Sequence, residues 1–158
     1  MNHLDDADVL SFADTALDGM LALCRELGDD LVNDRLEAPG SNSPYAIVVH
    51  CAGVIDFWAG HKVAGRPNHR DRDAEFRAAG TVADLEERVR AARAVLAEAL
   101  AGADWTAPCP GQDRPETAAR PAGRTQGGAL VHVLEELMQH HGQLQVTADL
   151  LRHRAATG

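Results

Sequence analysis

Eight histidines, at positions 3, 50, 61, 69, 132, 140, 141 and 153, are the residues with the most obvious chemistry in this 158-residue chain. Near neutral pH an imidazole can carry a proton or bind a metal ion, so what matters is which of them face one another. The run HVLEELMQHHGQL, residues 132–144, carries Glu136 and His140 four apart. On a helix that spacing stacks two side chains on one face, one turn apart, as two metal ligands from a single element must be. His132 lies one further turn back and His141 points elsewhere. In an earlier apolar segment, a step of roughly 100° per residue puts His50 between Ile47, Val54, Phe57 and His61, on the face turned to the core. A buried histidine and a Glu-x-x-x-His pair from another helix make a two-histidine, one-glutamate shell that suits zinc and leaves a position for water or substrate. Divalent nickel or iron accept the same donors.

Each of these residues also has a plainer reading. With Leu130, Leu134, Leu137, Leu144 and Leu151 as the centre of the last helix's apolar face, His141 sits nearer that centre than His140. Glu136 and His140 lie at its edge. Periodicity alone therefore favours His141 as the buried histidine, while a bundle interior recruits edge positions where two neighbouring helices approach. His50 taken singly is equally well a core histidine with satisfied hydrogen bonds. The residues make a site only as a set.

Four helical stripes are available to position them. The first runs from about Asp8 to Leu31 through Val9, Phe12, Ala13, Ala16, Leu17, Met20, Leu23, Cys24 and Leu27, with Gly28 weakening it near its end. The second spans about Pro44 to Lys62, with Ser43 as cap and Pro44 in the first turn. The third starts at Thr81, where Thr81 and Asp84 offer a capping box, and reaches about Leu100. The fourth, the longest, begins near 125–128 and continues to about Arg154. Between the second and third lies a charged connection, residues 63–79; between the third and fourth lies a loop over 101–124 holding Pro108, Pro110, Pro115 and Pro121. The expectation is an all-α four-helix bundle with a long crossover between helices two and three, which allows those two to run parallel. One domain is expected over residues 1–158, with its core in about 8–154.

Composition narrows the function. Apolar residues are 45% of the chain, enough for one core, and aromatics only 4%, which argues for Ala, Leu and Val helix packing rather than strands. Twenty-four acidic against fifteen basic residues leave a net charge of −9, which argues against nucleic acid as a partner. No apolar stretch predicts a membrane span, and the start MNHLDDADVL lacks the basic and apolar parts of a leader. Three cysteines without a CxxC pair argue against a disulfide framework and fit a cytoplasmic protein. Cys24 and Cys51 are expected to be buried, and Cys109, between two prolines, to be more open.

His50, followed eight residues later by Trp58, and the last helix LVHVLEELMQHHGQLQVTADLL together resemble the DinB-like metal-binding superfamily. Aligned on Gly142-Gln143, the matching ligand pair is Glu136 and His140, and the glutamate variant is similar to the metal-binding domain of mycothiol-dependent maleylpyruvate isomerases and related actinobacterial thiol transferases. The resemblance covers about residues 8–154. It implies a metal triad of His50, Glu136 and His140, favours His140 over His141, and suggests a homodimer. Those isomerases carry a further C-terminal domain that helps form their active site, which is not expected here, so isomerisation is not carried over.

Two function classes follow. The preferred expectation is a divalent-metal-dependent low-molecular-weight thiol (mycothiol-like) S-transferase acting on small electrophiles, the metal most consistent with the donors being zinc and the thiol a co-substrate. The alternative is a non-enzymatic metal-binding or stress-response protein of the same type. In the connection GRPNHRDRDAEFR, residues 65–77, Arg66, Arg70, Arg72 and Arg77 alternate with Asp71, Asp73 and Glu75. A solvated loop with local ion pairs is the simpler reading; a lid whose arginines meet ligand carboxylates is the functional one. Arg124 is a similar candidate. Trp58 reads as core, and Trp105 is less constrained.

Overall fold

A computed structural model describes residues 4–111 and 121–158. His3 and the 112–120 part of the expected loop, including Pro115, lie outside them. Each long helix starts where the sequence supplies a cap. In α1 (Asp6–Leu31) the Asp5 carboxylate accepts the Asp8 N–H and the Asp8 carboxylate accepts the Asp5 N–H. Gly28 adopts φ 67°, a left-handed conformation that kinks α1 one turn before its end. Ser43 caps α2 (Pro44–Ile55) by accepting the Ala46 N–H. Every residue of α2 except Gly53 is buried, which is why its sequence is apolar on all sides rather than striped.

The expected second helix does not stay regular. After Ile55 the turns widen into a π-helical segment, Asp56–Val63, where the Ala64 N–H reaches back five residues to the Ala59 carbonyl at 3.0 Å. The crossover that follows is not wholly irregular either. Asp71 caps a single turn, α3 (Arg72–Glu75), through the Ala74 N–H. Thr81 and Asp84 form the expected capping box of α4 (Val82–Ala101). A 3-10 turn, Pro121–Gly123, precedes α5 (Gln126–Thr157), whose first turn is capped by Thr125 accepting from the Gly128 N–H.

Side-chain pairings give the directions. Leu27 of α1 packs with Ala148 and Leu151 of α5, and Gly19 with His141, so α1 and α5 run parallel. Arg25 pairs with Glu86 and Arg93 with Asp18, so α4 runs antiparallel to α1. Tyr45 meets Gly80 at the start of α4 while Gly60 meets Val95, so α2 and α4 are parallel neighbours, as the long crossover permits. His50 faces Glu136 and Trp58 faces His132, so α2 and α5 are antiparallel. The result is an all-α four-helix bundle of α1, α2 with its π segment, α4 and α5.

Its core is aliphatic. Leu17, Met20, Ile47, Ile55, Leu85, Leu96, Leu130, Leu137 and Leu144 are fully buried, each contributing about 1.5–3 kcal/mol relative to exposure. Ala13, Ala16, Ala46, Ala52, Ala92 and Ala129 are buried among them, as expected of a core packed with small and aliphatic rather than aromatic side chains. No helix among the described residues is long and apolar enough to cross a membrane.

Candidate metal centre

The antiparallel α2–α5 contact brings three of the sequence's candidates together. His50 projects from the middle of α2 and is 3% exposed; Glu136 and His140 project from successive turns of α5 and are half-buried. His140 Nε2 lies 3.3 Å from Glu136 Oε2, and His50 Nε2 lies 3.6 Å from the same oxygen. One ligand atom from each residue falls within 4.8 Å of the others. The His50 and His140 rings meet edge to face at 4.7 Å.

The outer nitrogens of both rings are held. His140 Nδ1 is 2.8 Å from Gln143 Oε1 on its own helix. His50 Nδ1 is 2.9 Å from Glu75 Oε2, and Phe76, the next residue, stacks on the His50 ring at 4.7 Å and 26°. Each Nε2 is thereby left facing the shared carboxylate. His132, one turn before Glu136, approaches the other carboxylate oxygen at 3.4 Å and is held through Nδ1 by Glu135 at 2.7 Å.

The electrostatics follow from this crowding. Hydrogen bonding to His140 and then His50 holds the Glu136 carboxyl far below its ordinary range, against the opposing effect of burial. Burial alone would depress His50, but its bonds to Glu136 and Glu75 outweigh that and raise it. In Glu75, burial is likewise overcome by the bonds to His50 and Arg70, and the carboxyl titrates low. The site therefore presents one firmly ionised carboxylate between imidazoles, a donor set with a net negative charge once the imidazoles are neutral.

A family model for the DinB superfamily matches residues 13–144 of the chain. The chain belongs to the DinB superfamily. No curated protein matches it. In this DinB-superfamily bundle two of the three donor separations match those of a bound cation. Tetrahedral coordination with bonds of about 2.0–2.2 Å separates adjacent donors by roughly 3.3–3.6 Å, and the two contacts to Glu136 Oε2 are 3.3 Å and 3.6 Å. The third, between the two imidazoles, is bounded by the 4.8 Å that encloses the whole set.

The remaining candidates lie elsewhere. His141, which periodicity on its own favours as the buried histidine, turns to α1, where its ring lies against the backbone of Gly19. His61 stays at the π segment, Nδ1 2.7 Å from the Arg66 carbonyl. Trp58 is buried as expected and meets His132 edge-on at 4.5 Å. Trp105 is half-buried against Gly127 and, with Val131, His132 and Glu135, lines an open cavity of about 520 Å³. Arg124 is exposed just before α5. Cys24 and Cys51 are buried, whereas Cys109 is partly open.

Sequence reasoning missed the role of the crossover. The reading of residues 66–77 as a solvated loop does not hold for its centre. Arg70 forks onto Glu75, Nε to Oε1 at 2.6 Å and a terminal nitrogen to Oε2 at 2.9 Å, with both side chains under a tenth exposed. Arg72 lies over the Phe76 ring at 5.0 Å. Arg66, His69, Arg70 and Arg88 line a second cavity of about 570 Å³ on the far side of Glu75. The usable signal was Gly53, three residues after His50 on the same face of α2: a Cβ there would collide with the Glu75 carboxylate. A side chain missing beside a candidate ligand marks where another group enters.

Proposed function

We propose that the chain is a divalent-metal protein in which His50, Glu136 and His140 are the protein ligands and zinc is the cation. The observation that carries this reading is the convergence of three ligand atoms from two helices within 4.8 Å. Two neutral imidazoles and one carboxylate match zinc's preference for nitrogen and oxygen donors, and three protein donors leave one position open. A divalent cation there would supply Lewis acidity, lowering the pKa of a bound water or thiol. The protein's own contribution is to hold both rings by their Nδ1 atoms and to keep Glu136 ionised.

As a metal-binding protein the chain requires nothing beyond these residues. The more specific reading is a low-molecular-weight thiol S-transferase acting on small electrophiles, with the thiol sulfur at the open position. What favours it is the cavity of about 520 Å³ beside His132, the residue that faces the second oxygen of Glu136. Trp105 and Val131 would cover an apolar acceptor there. Homodimerisation belongs to the same proposal; Met138, Val146 and Leu150 on the outer side of α5 are exposed apolar residues that a second copy would cover.

Metal content and binding of a low-molecular-weight thiol, measured on wild type and on the Glu136→Ala/His140→Ala variant, test both levels. Metal and thiol binding in wild type, both lost in the variant, support the transferase. Metal without thiol binding leaves the metal-binding reading and ends the transferase one. A wild type that takes up no divalent metal overturns both.

A further inference from the structure

The crossover delivers two consecutive side chains to one imidazole. Glu75 meets the edge of His50 at Nδ1 and Phe76 covers its face. Asp71 caps the single turn α3 that presents them. The far end of the crossover is tied to the end of α1, Asn33 Nδ2 donating to the Gly80 carbonyl at 2.9 Å and the Gly80 N–H donating to Asn33 Oδ1 at 3.0 Å. Arg35 donates to the Phe76 carbonyl.

Stability does not account for this arrangement. Glu75 and Arg70 are a buried ion pair, and such pairs are often no more stabilising than apolar residues of similar volume. The pair also needs Gly53, since a Cβ there would displace the Glu75 carboxylate, and glycine inside a helix costs about 0.5–1 kcal/mol relative to alanine. What the arrangement does provide is a fixed ring. Glu75 lies 2.9 Å from His50 Nδ1, Arg70 holds Glu75 in place and brings a terminal nitrogen to 3.3 Å from the same Nδ1, and Nε2 is left facing Glu136. With a cation bound, Glu75 would accept from Nδ1–H and leave the Nε2 lone pair to the cation.

We infer that the Arg70–Glu75 pair is the positioning element of the metal centre, holding the His50 ring and its Nδ1–H form so that Nε2 binds the cation tightly. The inference rests on the metal reading above. Carboxylates placed behind metal-binding imidazoles orient the ring and raise its basicity, and losing one weakens metal binding by about 10–100-fold. Arg70 and Glu75 touch the cation at no point; they act through His50.

The test compares zinc affinity, by competition with a chromophoric chelator, in wild type and two variants. Arg70→Met/Glu75→Leu replaces the pair by apolar side chains and is expected to keep the metal-free melting temperature close to wild type. Gly53→Ala retains both charges but drives Glu75 off the ring. Both are expected to bind zinc about 10–100-fold more weakly, with an altered visible spectrum when cobalt replaces zinc. Unchanged affinity and spectrum in a folded variant overturn the inference while leaving the metal centre standing. If the double variant does not fold, Gly53→Ala decides on the same two readouts. Wild type that binds no zinc overturns the metal reading itself and the inference with it.

Discussion

Glu136 Oε2 and His140 Nε2 lie 3.3 Å apart across one turn of α5, whereas the ring of His141, one residue further on, packs against Gly19 of α1. Adjacent histidines on one helix point roughly 100° apart, and here that angle separates the α2–α5 interface from the α1–α5 interface.

The two histidines should therefore part on substitution. His140→Ala is expected to lose bound zinc, while His141→Ala keeps wild-type metal content. Elemental analysis of the purified variants checks this. Equal loss in both would mean that metal is held through helix integrity rather than by His140.

The metal-free protein has opposed pH dependences at the site. His50 is raised above 6.5, so its contribution is complete below 6.5 and is lost as pH climbs through its folded value. Glu75 and Glu136 are lowered from 4.5, so theirs are present above 4.5 and are lost as pH falls through their folded values. Zinc needs the neutral imidazole and releases the proton. The rise in melting temperature on adding zinc is thus expected to grow as pH is raised through and beyond 6.5. A zinc effect independent of pH across that range would contradict the assignment of His50.

Thiol reactivity should divide the three cysteines two to one. Burial pushes the Cys24 thiol up to about 12 and also raises Cys51. Titration of the native protein with an aromatic disulfide is expected to modify Cys109 rapidly and the other two only in denaturant. Fast reaction of all three would show that the α1 and α2 cores open readily.

Within α5, stability should rest more on its buried leucines than on its cap. Leu137 is 0% exposed, and Leu137→Ala is expected to cost about 2–5 kcal/mol in urea unfolding. Thr125→Ala, which removes the acceptor for the Gly128 N–H, should cost about 1 kcal/mol. A loss from Thr125→Ala as large as that from Leu137→Ala would mean that the start of α5 carries more of the fold than its contacts indicate.

Much of the architecture was legible because it is written in local chemistry. The caps at Ser43, Thr81 and Thr125 and the aliphatic periodicity of α1, α4 and α5 are properties of short segments. The widening at Asp56–Val63 was not legible, since an i→i+5 step leaves the same residue types in place and changes only which carbonyl each N–H finds. Likewise α3 is one turn long, too short for any periodic signal.

For the proposed metal site, residue types and spacing were enough to nominate the donors: His50 on a largely apolar helix, and Glu136 and His140 a turn apart on another. Spacing within a helix is covalent geometry, so it needs no tertiary information. Which of two adjacent histidines faces His50, and what stands behind His50, depend on how the helices are rotated and on where a crossover lands. Those are contacts between residues 25 to 90 positions apart in the chain, as for His50 with Glu75 and with His140. Burial decides them, because Glu75 and Arg70 can sit inside only where Gly53 leaves room and His50 supplies a partner. That condition exists only once α2, α5 and the crossover are packed together.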